Sequence, residues 1–147
     1  MKLSISILYL NMEVEILEVD INKNDNLNNI KNYIYQNKFI YPDEQLWFCN
    51  NVVIKNNKIK WNFMNNYSII VNNKWYKFII KTITNSIIHI NFLISQDHVT
   101  KIKYEINKKL NYNFKYKLKY NDIILNDEHC IGKYFIPEKV YNLNMIY

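Results

Sequence analysis

Asp25-Asn26-Leu27-Asn28-Asn29-Ile30-Lys31 returns 72 residues later as Asp97-His98-Val99-Thr100-Lys101-Ile102-Lys103. The charges at both ends match, the apolar positions keep their spacing, and Ile34 continues onto Ile106. The same offset carries Leu46, Phe48, Val52 and Val53 onto Leu118, Tyr120, Ile124 and Leu125. An ordered match that includes charged positions argues for duplication, and a repeat of this length sets the architecture before any element is assigned. The reading is two domains, 1–72 and 75–147, with a short linker at 72–74.

Each half carries the same order of elements. Leu27, Ile30 and Ile34 lie three and four apart, the spacing of one helix face, with Asn26 or Asp25 placed to cap its start. Val99, Ile102, Ile106 and Leu110 repeat that stripe behind Asp97. Before each helix stands a hairpin with period-two alternation: Ile5, Ile7 and Tyr9, a turn at Asn11, then Leu17, Val19 and Ile21. Its counterpart uses Tyr76, Phe78 and Ile80, then Ile88, Ile90 and Phe92. Val14 to Leu17 breaks the alternation, which predicts a bulge or register change. Last strands follow at Tyr67, Ile69 and Val71 and at Tyr141, Leu143 and Met145. Strand, strand, helix, strand, strand is an α+β order, and a single helix across a mixed sheet buries these faces in a domain near the lower size limit.

Composition supports a folded chain of unusual bias. Among 147 residues there are 26 Asn, 25 Ile, 19 Lys and 13 Tyr, with no Ala, no Arg and one Gly. These favoured residues have codons rich in A and T, which implies an AT-rich genome such as that of a protist or a large DNA virus. With 49% hydrophobic and 16% aromatic residues the chain can offset its conformational entropy, so disorder is not expected. Two cysteines without a CxxC pair argue against a disulfide framework or structural zinc and for a reducing compartment. Neither a signal peptide nor an apolar run of roughly 18 residues is present, so a cytoplasmic or nuclear protein is expected, in the host cytoplasm if virally encoded.

The residues resemble ubiquitin, twice. Leu17 to Ile54 is similar to that family's stretch from second strand through helix and proline turn into third strand, by way of Asp25 to Lys31, Ile34 and Ile40-Tyr41-Pro42-Asp43-Glu44-Gln45-Leu46-Trp47-Phe48. In the second half Lys81-Thr82-Ile83-Thr84 resembles the first hairpin, Asp97 to Ile106 the helix, and Leu125-Asn126-Asp127 with Ile131 to Ile136 the closing run. The resemblance implies two tandem ubiquitin-like β-grasp domains, as in linear diubiquitin and the interferon-induced tandem modifiers. It also implies binding to ubiquitin-pathway proteins, namely receptors, ligases or deubiquitinases. Conjugation needs a Gly-Gly tail, whereas this chain reads Asn144-Met145-Ile146-Tyr147 at its end and has its only glycine at Gly132, so a non-conjugated protein is expected. The family's buried lysine and acid pair falls on Lys103 and Asp127, implying a structural ion pair.

The resemblance places a receptor-binding apolar patch of the first domain at Met12, Trp47 and Ile70, opposite core residues Leu46, Phe48, Ile69 and Val71. A plainer reading packs these residues against the second domain or leaves them as isolated surface groups. The aligned second-domain positions are Ile83, Lys119 and Asn144, and there Lys115, Lys117 and Lys119 alternate with core residues. Residues 1–73 hold seven Lys and seven acids, and 74–147 hold twelve Lys and six acids, so the net charge of +6 belongs to the second half. That basic face could meet nucleic acid or an acidic protein, or be a solvated strand face. Trp75, next to the linker, could wedge between the domains or fill the second core.

Catalysis is not expected. Cys130 beside His129, Asp127 and Glu128 on a turn lacks the geometry of a thiolate and base, Cys49 has less in its favour, and His89 and His98 have no metal-ligand partners. No cofactor or metal is implied. The sequence therefore predicts a non-enzymatic tandem ubiquitin-like binding protein, acting as a viral or protist mimic or decoy. The alternatives are a basic accessory factor for nucleic acid or acidic proteins and an assembly or dimerisation module.

Overall fold

Alternating side chains decide which face of each strand is buried, and the helix that follows each hairpin covers that face. The computed structural model describes residues 1–111 and 115–147, with Phe92 described by its backbone alone. The chain divides into two compact units, Met1–Asn73 and Lys74–Tyr147.

Unit 1 comprises β1 (Lys2–Leu8), β2 (Val14–Asp20), α1 (Leu27–Lys38), a 3-10 turn (Pro42–Glu44), β3 (Gln45–Cys49), β4 (Val52–Val53) and β5 (Tyr67–Val71). Its sheet runs β2-β1-β5-β3-β4, with β1 and β5 parallel and the other pairs antiparallel. A parallel pair needs a crossover, and the segment from β2 to β3 supplies it with α1. Leu27, Ile30 and Ile34 of α1 join Leu3, Ile5, Ile7 and Ile69 in one apolar cluster. Asn26 caps α1, its side-chain oxygen accepting from the Asn29 N–H at 2.9 Å.

Unit 2 repeats the order with β6 (Tyr76–Lys81), β7 (Ile87–Leu93), α2 (Val99–Leu110), β8 (Lys117–Tyr120), β9 (Ile123–Ile124), a short α3 (Ile131–Tyr134) and β10 (Val140–Ile146). The sheet runs β7-β6-β10-β8-β9, again with its first and last strands parallel at the centre. Val99, Ile102 and Ile106 meet Phe78, Ile80, Leu118 and Leu143 in its core. His98, not Asp97, is the residue before this helix, and it makes no side-chain cap. Asp97 instead accepts from the Ile94 N–H at 3.0 Å, as Asp25 does from the Asn22 N–H at 2.9 Å. The repeated aspartate closes the loop into the helix in both units.

With glycine almost absent, asparagine takes the left-handed backbone positions. Asn50, Asn51, Asn85, Asn111 and Asn121 all have positive φ, as do Met12, Phe39 and Glu138. Asparagine tolerates that region better than most side chains because its short amide bonds locally. Phe39 and Asn111 stand 72 apart and terminate α1 and α2 in the same left-handed conformation.

Two sequence expectations need correction. No bulge interrupts β1 and β2, whose pairing runs regularly from Lys2 and Asp20 to Leu8 and Val14. The alternation breaks because Val14 and Ile16 are apolar residues on the outer face, both exposed. An irregular register occurs in unit 2, between Tyr76 and Lys77.

The second correction concerns the repeat, whose offset drops to 71 after the helices. Gln45 Nε2 donates to the Lys31 carbonyl at 2.9 Å and Tyr116 Oη to the Lys103 carbonyl at 3.2 Å. The Ile54 N–H bonds the Trp47 carbonyl, and the Leu125 N–H bonds that of Leu118. Trp47 thus corresponds to Leu118 and Phe48 to Lys119. The sequence from Asn111 to Tyr116 is one residue shorter than that from Phe39 to Gln45.

Candidate functional site

Strand register builds the outer face of unit 1 from the sequence upward. Leu46 lies directly across from Ile70, Ile70 beside Leu8, and Leu8 across from Val14. The next row is Ile16, Ser6, Ser68, Phe48 and Val53. Leu46 is 44% and Ile70 41% exposed, and Val14, Ile16 and Val53 are also exposed. At the hairpin end Leu10 and Met12 stand in solvent, Met12 77% exposed in a turn whose N–H bonds the Tyr9 carbonyl. These exposed apolar side chains occupy neighbouring positions on the sheet face that the helix leaves uncovered.

Trp47 does not belong to that face. It is 1% exposed, its indole meets Trp61 edge-on at 6.2 Å, and its Nε1 donates to Gln45 Oε1 at 3.0 Å. Leu46 and Phe48, expected in the core, take the outward positions on β3 instead. Of the three anticipated patch residues, Met12 and Ile70 are exposed and Trp47 is a core residue. Leu8, Val14, Ile16, Leu46 and Phe48 were missed. The broken alternation at Val14 and Ile16 reflects apolar residues on the outer face and not a bulge or register change.

On unit 2 the outer face is basic. Its matching row reads Ile87, Lys81, Asn144, Lys119 and Ile124. Lys117 stands opposite Ile146, and Lys77 pairs with Asn91. Lys115 and Lys117 are exposed and Lys119 is half-buried, alternating with buried Tyr116 and Leu118. Lys103, by contrast, is tied to Asp127 at 2.7 Å and to the Tyr116 carbonyl at 2.8 Å. Burial, with Asp127 adding to it, pushes the Tyr116 hydroxyl up to about 12. Trp75 is 46% exposed and is absent from the buried cluster of unit 2, while its carbonyl accepts from the Glu138 N–H.

Cys130 follows His129 in the chain and is paired with His98 through an isolated antiparallel bridge. Cys130 precedes α3, and burial together with Asp97 raises its thiol above the ordinary value, against thiolate formation. His129 Nδ1 lies 2.7 Å from the Tyr134 hydroxyl, so the ring is engaged there. His89 faces outward across from Ile79, and His98 precedes α2. Among the described residues no three His, Cys, Asp or Glu side chains are grouped to hold a metal, and no helix is long and apolar enough to cross a membrane. No protein-family model and no curated protein sequence matches this chain.

Proposed function

We propose that this is a non-enzymatic tandem ubiquitin-like protein of the β-grasp kind, which engages ubiquitin-pathway proteins through the outer face of unit 1. The observation that carries the reading is the apolar continuity of that face, from Val14 through Leu8 and Ile70 to Leu46 across four strands. Its support in topology is the parallel first and last strands at the centre of each sheet, with a helix crossing between the second and third. An apolar centre depleted of charge is what protein partners bury, and Phe48 supplies an aromatic anchor next to Ser68.

Affinity capture from a eukaryotic lysate with wild type and the Leu46→Lys/Ile70→Lys variant tests it. Enrichment of ubiquitin receptors, ligases or deubiquitinases by the wild type, lost in the variant while its melting temperature holds, is the expected result. Identical bound sets would remove the assignment.

A further inference from the structure

The outer face of unit 2 has shed its acids. In unit 1 the outward residues of β2 include Glu18, opposite Ser4, and Asp20, opposite Lys2. The positions that match them on β7 are His89, opposite Ile79, and Asn91, opposite Lys77. On the third strand of each unit, Leu46 and Phe48 correspond to Lys117 and Lys119, and on the first strand Ser6 corresponds to Lys81. The two sheets share one architecture, so the fold does not require lysine at these places. Acids of unit 2 that form ion pairs do so elsewhere: Glu105 with Lys101 and Lys108, Asp127 with Lys103, and Glu138 with Lys74. Among the described residues Lys77, Lys81, Lys117 and Lys119 form no ion pair.

Geometry makes these four cations one surface. Lys81 and Lys119 flank Asn144 on neighbouring strands, which sets their Cα atoms about 10 Å apart. Lys117 is two residues from Lys119 along β8, about 7 Å away. Between them stand amide donors, with Asn142 beside Ile79 and Asn91 opposite Lys77. We propose that this face binds the phosphate backbone of duplex nucleic acid without reading its sequence. Lysine is depleted from protein–protein interface centres, whereas lysine and asparagine on an acid-free face are the groups that contact phosphate and sugar. Among the described outward residues on these strands none is aromatic. The exposed ring beside them is that of Tyr147, which lines one surface cavity with Lys81, Lys119 and Asn144, and a single ring is less than the row of stacking side chains that single strands use.

The test is fluorescence anisotropy of a labelled duplex DNA of mixed sequence, titrated with the full chain at several salt concentrations. Four phosphate contacts give a log–log salt slope of about −3.6, a weakening of about 100-fold between 50 and 200 mM salt. The Lys81→Gln/Lys117→Gln/Lys119→Gln variant should weaken at least tenfold at the lower salt and have a slope near −1, about one remaining contact. The arginine variant at the same three positions keeps the charge and should bind as wild type does, which separates loss of contact from loss of fold. Lys55→Gln/Lys58→Gln/Lys60→Gln, equal in charge change but on unit 1, should leave the slope unchanged. An absent salt slope in the wild type, an equal loss in the unit 1 variant, or tighter binding of polyglutamate or of phosphatidylserine vesicles than of DNA would each overturn the proposal.

Discussion

Trp47 Nε1 donates to Gln45 Oε1 at 3.0 Å, two residues back on the same strand and wholly inside unit 1. The amide that accepts this bond also donates from its Nε2 to the Lys31 and Ile40 carbonyls, both at 2.9 Å. One buried side chain therefore joins the helix, the turn after it and the largest core residue.

Removing that core residue is a test of fold and not of recognition. Trp47→Ala should destabilise unit 1 by about 3–5 kcal/mol, the usual cost of truncating a buried aromatic, because Trp61 loses its edge-on neighbour and a cavity remains. Leu46→Lys, one residue away, places its charge in solvent on the outer face and should change stability by about 0.5 kcal/mol or less. Urea unfolding of the two variants checks the contrast, and equal losses would return Leu46 to the core.

Gln45 invites a second substitution. Gln45→Ala removes the partner of the buried Ile40 carbonyl, of the buried Trp47 indole N–H and of the part-buried Lys31 carbonyl, and each buried group left unsatisfied costs about 1–3 kcal/mol. A loss of at least about 2 kcal/mol in chemical unfolding is expected, with faster amide exchange along β3. Stability within a few tenths of wild type would mean that water replaces all three bonds.

The same residue explains where the sequence could be read and where it could not. Helices were legible because Leu27, Ile30 and Ile34 form one stripe on an otherwise polar segment. The lysine face was legible for a similar reason, since Lys115, Lys117 and Lys119 alternate with apolar residues. β3 was not. Its run Gln45-Leu46-Trp47-Phe48 is apolar on both faces, and its one polar residue is buried, so period two gives no phase. A repeat offset fixed at 72 then put Leu46 in register with Leu118 and turned Trp47 outward. The spacing before Tyr116, shorter by one residue, makes the right offset 71, visible through bonds such as those of Gln45 and Tyr116. Trp61 is not legible from periodicity because it lies outside any helix or strand, yet its indole N–H reaches the Asp25 carbonyl at 2.7 Å.

Cys130 provides a chemical check on thiol reactivity. Burial and the charge of Asp97 hold its thiol above the ordinary range, and the thiolate is the reacting form. Alkylation of Cys130 by iodoacetamide near pH 8 should run slower than that of a free thiol such as glutathione, and a Cys130→Ser variant should keep all partner binding. Peptide mapping by mass spectrometry measures the rate at this site. A rate above that of glutathione would mean an activated cysteine.

Tyr116 ties stability to alkaline pH with a definite sign. Its hydroxyl reaches the Lys103 carbonyl and, at 2.9 Å, Asn107 Oδ1, while burial first and Asp127 second push its ionisation up to about 12. An unfolded tyrosine ionises near pH 10. The folded state therefore holds the proton more tightly, and the stability this adds is complete below about pH 10 and is lost as pH rises toward about 12. Unfolding free energies of wild type and Tyr116→Phe should differ by a constant amount at neutral pH, and the gap should narrow above pH 10. Because burial is the larger cause, Asp127→Asn should lower the tyrosinate transition seen by ultraviolet absorbance only part of the way to 10. A gap that widens with pH would reverse the sign of the linkage and place the Tyr116 hydroxyl in solvent.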